Sequence, residues 1–251
     1  MIKAKKSLGQ NFLFDKNICK KIVNLSEINN NYILEIGPGT GYLTEQILQK
    51  NPKKLTIIEK DKELYKLLLN KFNNNKNLEI INCDALEYNY ELNKGKCKII
   101  SNLPYNISIK LIINWIKMKN KFSELILMVQ KEVAEKMNYN YVKKKNRLNF
   151  FMEMTCKYNI EFNVSKNVFF PKPKINSSVI KIIPKNNINI NINNLENFTK
   201  EIFKYKRKKL SNVINFKNNI NKDLDNLIEK RAEDLKTNEL IDIFNLYFNH
   251  Q

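Results

Sequence analysis

A cluster of glycines is the feature of this sequence best suited to holding a ligand. Gly37, Gly39 and Gly41 are three of the five glycines in the 251-residue chain, and they follow an apolar run and precede an amphipathic one. Glycine permits tight turns, and a ligand can approach its backbone closely because no Cβ atom is present. A glycine loop between a predicted strand and a predicted helix indicates a ligand-binding loop.

The spacing of the glycines separates the known classes of glycine loop. A dinucleotide-binding loop has glycine at its first, third and sixth positions, but the sixth position here is Tyr42. No Gly-Lys-Ser/Thr sequence follows, which excludes the phosphate loop of nucleotide triphosphatases. Glycines at the first, third and fifth positions instead resemble the S-adenosylmethionine loop of class I methyltransferases.

Two acidic residues end the next two predicted strands. Glu59 lies 22 residues after Gly37, where a carboxylate can accept hydrogen bonds from both ribose hydroxyls of a nucleoside cofactor. Asp84 ends the third strand, where an acid commonly meets the adenine amino group. Either acid alone would be interpreted as a solvated strand end. Together with the glycine loop, they predict that the chain binds S-adenosylmethionine.

The segment Asn102-Leu103-Pro104-Tyr105 follows the fourth predicted strand and resembles the catalytic motif of adenine N6 methyltransferases. The adenine amino group is a poor nucleophile because its lone pair is delocalised into the ring. The Asn102 side-chain oxygen and the Leu103 carbonyl can accept hydrogen bonds from the amino protons. Pro104 stiffens the turn, and Tyr105 offers a ring on which an extruded base can stack, worth about 1–3 kcal/mol.

The supply of histidine and cysteine excludes several other chemistries. His250 is the single histidine, and the four cysteines at positions 19, 83, 97 and 156 are far apart. Ser-His-Asp hydrolysis, histidine-rich metal sites and paired-cysteine zinc or redox sites therefore lack their usual residues. Methyl transfer from a sulfonium needs no metal, covalent nucleophile or strong base, so we expect a metal-free site.

The net charge indicates a polyanionic partner. The chain has 44 Lys and Arg against 25 Asp and Glu, a formal charge of +19, which attracts nucleic acid through counterion release. Compositional drift towards Asn, Lys and Ile explains part of this excess, and an anionic membrane is the second candidate partner. No apolar run reaches the ~18–20 residues that span a bilayer, and the first residues lack a secretory signal. We expect a cytoplasmic protein.

Apolar and amphipathic segments alternate along the first two thirds of the chain. Alternation at this spacing predicts a parallel sheet covered by helices on both faces. Two later strands, at 157–164 and 177–183, are expected to form an antiparallel edge. The fold class predicted is therefore α/β: a Rossmann-like, class I S-adenosylmethionine-dependent methyltransferase with a seven-stranded, mostly parallel sheet and an antiparallel edge strand. The strands are predicted at 32–37, 55–59, 78–83, 97–101 and 125–129, and the helices at 15–28, 42–50, 61–72, 107–119 and 131–141.

The end of the chain has a different pattern. Residues 186–194 are rich in Asn and polar, which is typical of a linker, and residues 195–249 are predicted to be helical throughout. We therefore divide the chain into a catalytic, cofactor-binding domain at 1–188 and a small helical, RNA-contacting domain at 189–251.

Further motifs in the same order make the chain resemble the KsgA family of ribosomal RNA small-subunit adenine dimethyltransferases. The resemblance covers nearly the full length, through a basic segment at 203–210 that is expected to be helical. The motifs that carry it are Lys6-Ser7-Leu8-Gly9-Gln10-Asn11-Phe12-Leu13, Glu35-Ile36-Gly37-Pro38-Gly39, Asn102-Leu103-Pro104-Tyr105-Asn106-Ile107-Ser108, Gln130-Lys131-Glu132-Val133 and Phe169-Phe170-Pro171-Lys172-Pro173-Lys174.

The resemblance implies roles for residues and a substrate. It implies that Phe169 faces Tyr105 across a flipped adenine in a pair of adjacent adenines, in a hairpin loop near the 3′ end of small-subunit rRNA. Both adenines would be dimethylated, and the partner would be a pre-30S particle bound by a monomeric enzyme. The cofactor would be contacted by Asn11, Leu13, Gly37, Gly39, Gly41, Glu59, Asp84 and Asn102.

Three positions depart from the family pattern, and two alternative functions stay open. Asn176 stands where the family often has Asp, Lys206 where it has Arg, and Lys145-Asn146 where it has Tyr-Gly. A lysine keeps the charge of arginine but loses its bidentate geometry. The alternatives are a large-subunit rRNA adenine methyltransferase of the antibiotic-resistance type, and a non-catalytic ribosome-assembly or transcription factor derived from the family.

Overall fold

The computed structural model describes residues 4–5, 8–92, 95–118, 120–140, 143–186, 188–214 and 226–249. Lys6 and Ser7 of the predicted N-terminal motif lie outside the described residues. The chain forms two compact units: the first comprises residues 1–134 and 157–186, and the second residues 135–156 and 187–251. These units differ from the predicted domains 1–188 and 189–251, because residues 135–156 belong to the second unit.

Strands and helices follow one another as the alternating sequence pattern predicts. The strands are β1 (Phe12–Leu13), β2 (Tyr32–Ile36), β3 (Lys54–Glu59), β4 (Leu78–Asn82), β5 (Cys97–Asn102), β6 (Phe122–Gln130), β7 (Cys156–Val164), β8 (Phe169–Phe170) and β9 (Ser177–Pro184). The helices are α1 (Lys16–Val23), α2 (Tyr42–Leu48), α3 (Lys62–Lys71), α4 (Ser108–Lys117), α5 (Lys131–Met137), α6 (Arg147–Thr155), α7 (Ile192–Ile202) and α8 (Thr237–Asn249). None of the helices in the described part of the chain is both long and apolar enough to cross a membrane.

The main sheet has seven strands in the order β4-β3-β2-β5-β6-β9-β7. The strands from β4 to β6 pair in parallel, and β9 pairs antiparallel with β6. This confirms the predicted mostly parallel, seven-stranded sheet. The antiparallel strand β9 lies one position in from the edge, however, because the chain returns from β7 to insert between β6 and β7.

Both faces of the sheet are buried. Neighbouring residues of the central strand β2, Ile33 and Leu34, are 2% and 1% exposed although they point to opposite faces;. One face packs on α1, α2 and α3 through an apolar cluster that includes Ile22, Ile47 and Leu68. Such two-sided burial is expected of parallel strands, and it places the carboxyl ends of β2, β3, β4 and β5 along one edge.

A second, two-stranded sheet was not predicted from the sequence. β1 pairs antiparallel with β8, so that Phe12 lies opposite Phe170 and Leu13 opposite Phe169. The segment around Phe169 was expected to be a loop, because a strand of two residues is too short to show an alternating pattern. This pairing brings the N-terminal segment beside the glycine loop.

The second unit contains α6, α7 and α8. Asn146 caps the N-terminus of α6. Its side chain accepts hydrogen bonds from the backbone N–H groups of Leu148 and Asn149, and the Asn149 side chain accepts one from the Asn146 N–H, which completes a capping box. The departure at Asn146 therefore has a local structural role. Arg147 of α6 lies 3.5 Å from Glu196 of α7.

The prediction of a basic helix at 203–210 is wrong. α7 ends at Ile202, and the residues that follow form turns until a short 3₁₀ turn at Leu210–Asn212. Like charges four residues apart, such as Lys204 and Lys208, destabilise a helix. The continuous helix expected over 195–249 is thus interrupted at this basic segment.

Gly41 provides a test of the packing behind the glycine loop. Its φ is +80°, and a Cβ added there would lie 2.8 Å from Phe72 and 3.0 Å from Leu68 of α3. Gly41→Ala should lower the free energy of unfolding by about 2–5 kcal/mol, the sum of left-handed strain of ~1–2 kcal/mol and overpacking of ~1–3 kcal/mol. Gly95→Ala is the matched control, because Gly95 has φ +77° but its added Cβ would lie 3.6 Å from Tyr32. Denaturant titration that finds equal losses for the two variants would contradict the packing argument.

Candidate active site

A cavity opens at the carboxyl edge of the parallel strands in the first unit. Loops after β2, β3, β4 and β5 form it, and the segment from Leu8 to Phe12 closes one wall. Parallel sheets of this kind bind ligands at this edge, where the strand order reverses. The predicted site residues that line it are Asn11, Gly37, Gly39, Glu59, Asp84, Asn102, Leu103, Pro104 and Tyr105.

The glycine loop is held against β3 and against the N-terminal segment. The Gly37 N–H donates to the Ile58 carbonyl at 2.9 Å. Gly39 has φ +59°, and a Cβ there would lie 2.9 Å from the ring of Phe12. A side chain at position 39 would therefore displace Phe12 from the cavity wall, so the close approach requires glycine.

Glu59 is buried, with 5% of its surface exposed. One carboxylate oxygen accepts a hydrogen bond from the Asp61 N–H at 2.8 Å and the other from the Gly39 N–H at 3.4 Å. Burial raises the pKa of Glu59 to about 7, against these backbone donors;. Each carboxylate oxygen keeps a lone pair, so the group can still accept hydrogen bonds from a ligand.

A second buried acid lies behind the loop. Glu35 is only 1% exposed, and its carboxylate accepts a hydrogen bond from the Thr44 hydroxyl at 2.7 Å. Burial raises its pKa to about 8, the Thr44 hydroxyl opposes this, and the charge of Glu59 adds to it. Glu35 does not line the cavity described above, so we assign it a structural role at the base of the glycine loop.

Asp84 is already paired. Its Oδ2 atom lies 2.6 Å from the Lys60 ammonium and its Oδ1 atom accepts from the Leu86 N–H at 2.9 Å. The hydrogen bond from Lys60 is the main reason that the pKa of Asp84 is lowered. Lys60 also lines the cavity, and sequence reasoning missed it. A basic residue directly after Glu59 was the available signal.

Asp61 holds the N-terminal wall in place. Its carboxylate accepts hydrogen bonds from the Lys5 ammonium at 3.0 Å and from the Gln10 side-chain amide at 3.1 Å. The same side chain caps α3 through the Glu63 N–H at 2.9 Å. Sequence reasoning did not identify Asp61, because its partners lie more than fifty positions away in the chain.

Asn102 presents an unsatisfied acceptor. Its side-chain nitrogen donates to the Asn11 carbonyl at 3.3 Å, whereas its Oδ1 atom is buried and has no hydrogen-bond partner among the residues that the structure describes. Buried polar atoms are nearly always paired, and an exception calls for a ligand or water. The backbone of Leu103 is fixed by a hydrogen bond to the Met128 carbonyl at 3.1 Å. This acceptor is suited to an incoming N–H donor.

Tyr105 lines the cavity beside Asn102. Its hydroxyl lies 2.7 Å from the hydroxyl of Ser177, which is fully buried at the start of β9. Burial raises the pKa of Tyr105, so the phenol is neutral at physiological pH. Ser177, which sequence reasoning also missed, therefore fixes the orientation of the ring.

Three predicted site residues lie elsewhere. Gly41 faces Leu68 and Phe72, as described above. Leu13 and Phe169 are 5% and 3% exposed and belong to the apolar core cluster, although Leu13 also lines a small cavity beside the glycine loop. The structure thus places Phe169 in the core rather than on the wall opposite Tyr105, because its partner across the sheet is the inward-facing Leu13.

Comparison with known proteins identifies the family of the chain. The ribosomal RNA adenine dimethylase family matches residues 1–249. The chain is 43% identical over 220 residues to the ribosomal RNA small subunit methyltransferase A of Malacoplasma penetrans, covering 86% of this chain and 78% of that protein. It is 38% identical to the protein of the same name from Sulfurihydrogenibium sp., covering 99% and 98% of the two chains.

Among solved structures, a dimethyladenosine transferase from Plasmodium falciparum superposes with a TM-score of 0.76 at 28% identity, covering 95% of this chain and 97% of that one. The fold, the order of the motifs and the near-complete match agree with one another. The chain therefore belongs to the ribosomal RNA adenine dimethylase family.

Proposed function

We propose that the protein transfers methyl groups from S-adenosylmethionine to N6 of two adjacent adenines in the 3′-terminal hairpin loop of small-subunit rRNA. The products are N6,N6-dimethyladenosines, formed during ribosome biogenesis. The observation that carries the proposal is the buried Oδ1 atom of Asn102, which has no hydrogen-bond partner among the described residues, in a residue that lines the same cavity as Tyr105. The small-subunit enzymes among its relatives favour this substrate over the large subunit.

The residues of the cavity fit the cofactor. When bound, S-adenosylmethionine supplies a methyl group made electrophilic by the sulfonium. Glu59 would accept hydrogen bonds from the two ribose hydroxyls, and Asp84, paired with Lys60, would accept one from the adenine amino group. The backbones of Gly37 and Gly39 leave room for the ligand because they carry no Cβ atom.

The residues proposed to hold the target adenine do so without a general base. Asn102 Oδ1 and the Leu103 carbonyl hold the amino protons of the adenine, which favours a tetrahedral nitrogen with an available lone pair. Tyr105 stacks on the base, and Pro104 keeps the turn rigid. Phe169 does not itself line the cavity, so its part is to pack in the core behind the β1 segment.

The RNA also requires a basic surface outside the cavity. In the second unit, the ammonium groups of Lys204 and Lys208 lie 5.2 and 4.6 Å from the ring of Tyr205, which is 44% exposed. Cations around an exposed ring suit single-stranded or looped RNA. We propose that this segment contacts the rRNA of a pre-30S particle, that the enzyme acts as a monomer without a metal, and that it works in the cytoplasm.

The direct test is transfer of labelled methyl groups to purified ribosomal subunits that lack these modifications. We expect label in small subunits, recovered as N6,N6-dimethyladenosine after digestion to nucleosides. Label in large subunits instead would identify the resistance-type enzyme. Absence of transfer to either subunit, by protein that binds S-adenosylhomocysteine, would favour the non-catalytic alternative.

Glu59 predicts how cofactor affinity depends on pH. Burial keeps the carboxyl group neutral below pH about 7, whereas the ribose hydroxyls donate to the ionised form. The affinity for S-adenosylhomocysteine is therefore full above pH 7 and falls as the pH drops through 7, by at most about tenfold per pH unit. Calorimetry between pH 6 and 8.5 measures this. Glu59→Gln should bind more weakly and with a flatter profile; an equally steep profile in this variant would exclude Glu59 as the titrating group.

Tyr105 separates stacking from positioning. Tyr105→Ala should lower methyl transfer by about tenfold or more, because base stacking is worth about 1–3 kcal/mol. Tyr105→Phe keeps the ring but loses the hydroxyl bond to Ser177, so its loss should be smaller and should match that of Ser177→Ala. The affinity for S-adenosylhomocysteine serves as the control and should stay unchanged in all three. Equal activity of Tyr105→Ala and wild type would exclude the stacking role.

A further inference from the structure

The small sheet that contributes Phe12 to the cavity also carries exposed aromatic side chains that the proposed mechanism does not use. Phe170 is 62% exposed and Phe14 is 45% exposed, the two highest values among the large apolar residues that the structure describes. Both lie on the small sheet formed by β1 and β8 or directly after it. Single exposed apolar residues are common and need no explanation, so their arrangement decides whether they have a function.

The pairing of β1 with β8 places these rings on one face. Phe12 lies directly opposite Phe170, and side chains directly opposite each other in a sheet extend to the same side. The Phe14 N–H donates to the Val168 carbonyl at 3.2 Å, which continues the pairing, and alternation puts Phe14 on the same side as Phe12. Leu13 occupies the opposite, buried face.

Phe12 connects this face to the cavity. Its ring lines the cavity and lies against the Cα atom of Gly39, close enough that an added Cβ would be 2.9 Å away. Phe12, Phe14 and Phe170 therefore share one face of the small sheet, and Phe12 is the member of this face that lines the cavity. We call these three residues the aromatic ledge.

Cationic side chains accompany the ledge. Lys172 and Lys174 follow Phe170 by two and four residues and are both exposed. Within the part of the chain that the structure describes, neither ammonium group is in an ion pair. Exposed ammonium groups within four residues of an exposed ring match the chemistry of a nucleotide, whose base stacks on the ring while its phosphate meets the cation.

We propose that the aromatic ledge stacks an unpaired RNA base next to the target adenine, while Lys172 and Lys174 contact the neighbouring phosphates. The proposal rests on the proposed function, because an unpaired neighbouring base is available when the target lies in a hairpin loop. Stacking is tolerant of base identity, since every base has a π-face. The ledge thus holds the loop in register with the cavity without reading its sequence.

The test uses substitutions that remove the rings but keep apolar side chains. In the full-length protein, Phe14→Leu, Phe170→Leu and the double variant are compared with wild type; Phe12 is left intact because it lines the cavity. We expect the KM for undermethylated small subunits to rise about tenfold for each lost stacking contact, with kcat within about twofold. Phe170→Tyr, which keeps a ring, should retain the wild-type KM.

The control variant is Ile183→Ala. Ile183 is 38% exposed and lies near the end of β9 remote from Ser177, so its substitution should leave KM unchanged. Binding of S-adenosylhomocysteine, measured by calorimetry, should be the same in every variant, as should the thermal unfolding midpoint. Loss of cofactor binding in the Phe170→Leu or Phe14→Leu variant would show that the ledge is structural and would overturn the proposal.

Two further outcomes separate this proposal from others. If wild type methylates small subunits but the double variant has the same KM, the ledge proposal fails while the proposed function stands; if wild type methylates nothing, the proposed function fails. Binding of protein-free small-subunit rRNA, followed by fluorescence anisotropy, should weaken in the double variant. Unchanged binding of this RNA, with a loss confined to intact subunits, would assign the ledge to a ribosomal protein and overturn the proposal.

Discussion

The buried carboxylate of Glu59 joins the parts of the site. Its two oxygens bind the backbone of Gly39 in the glycine loop and the backbone of Asp61 at the start of α3. Asp61 in turn binds Lys5 and Gln10, which anchor the N-terminal wall. A single buried acid therefore connects three segments that are distant in sequence, and the cavity exists because they meet around it.

The site keeps polar groups in unfavourable surroundings before any ligand arrives. Burial raises the pKa values of Glu59 and Glu35, and the Oδ1 atom of Asn102 has no hydrogen-bond partner in the described part of the chain. Such groups are costly to bury unless they are paired. A ligand that donates hydrogen bonds removes this cost, so the free energy of binding includes the relief of an existing penalty. This arrangement suits chemistry that depends on acceptors in fixed positions rather than on a strong base.

The groups suited to recognising a large polyanion lie on the surface, whereas the groups suited to the chemistry lie in the cavity. The excess of positive charge lies largely in exposed lysines, which act over several ångströms and require little geometric precision. In the functions proposed above, Phe14, Phe170 and Tyr205 add short-range contacts whose strength depends on the position of each ring. Under these proposals, charge attracts the RNA to the surface, whereas the fixed rings and acceptors select how an unpaired loop enters the cavity.

The local chemistry of the sequence was enough to predict the alternating α/β fold, the glycine loop, the acids Glu59 and Asp84, and the segment from Asn102 to Tyr105. These features depend on short-range patterns: burial of apolar strands, the conformational freedom of glycine, and the spacing between consecutive strand ends. The site residues found by this reasoning lie at strand ends, where a parallel sheet brings them together whatever the details of packing.

Contacts between distant segments were decided only by the tertiary structure. Asp61, Ser177 and the pairing of β1 with β8 depend on partners far away in the chain, and strands of two residues have no detectable period. The same pairing sends Phe169 inward and Phe170 outward, although the two are adjacent and identical in type. The sequence by itself determined which chemistry is possible, whereas the register of one short pair of strands decided which ring reaches the solvent, because side chains alternate strictly between the faces of a sheet.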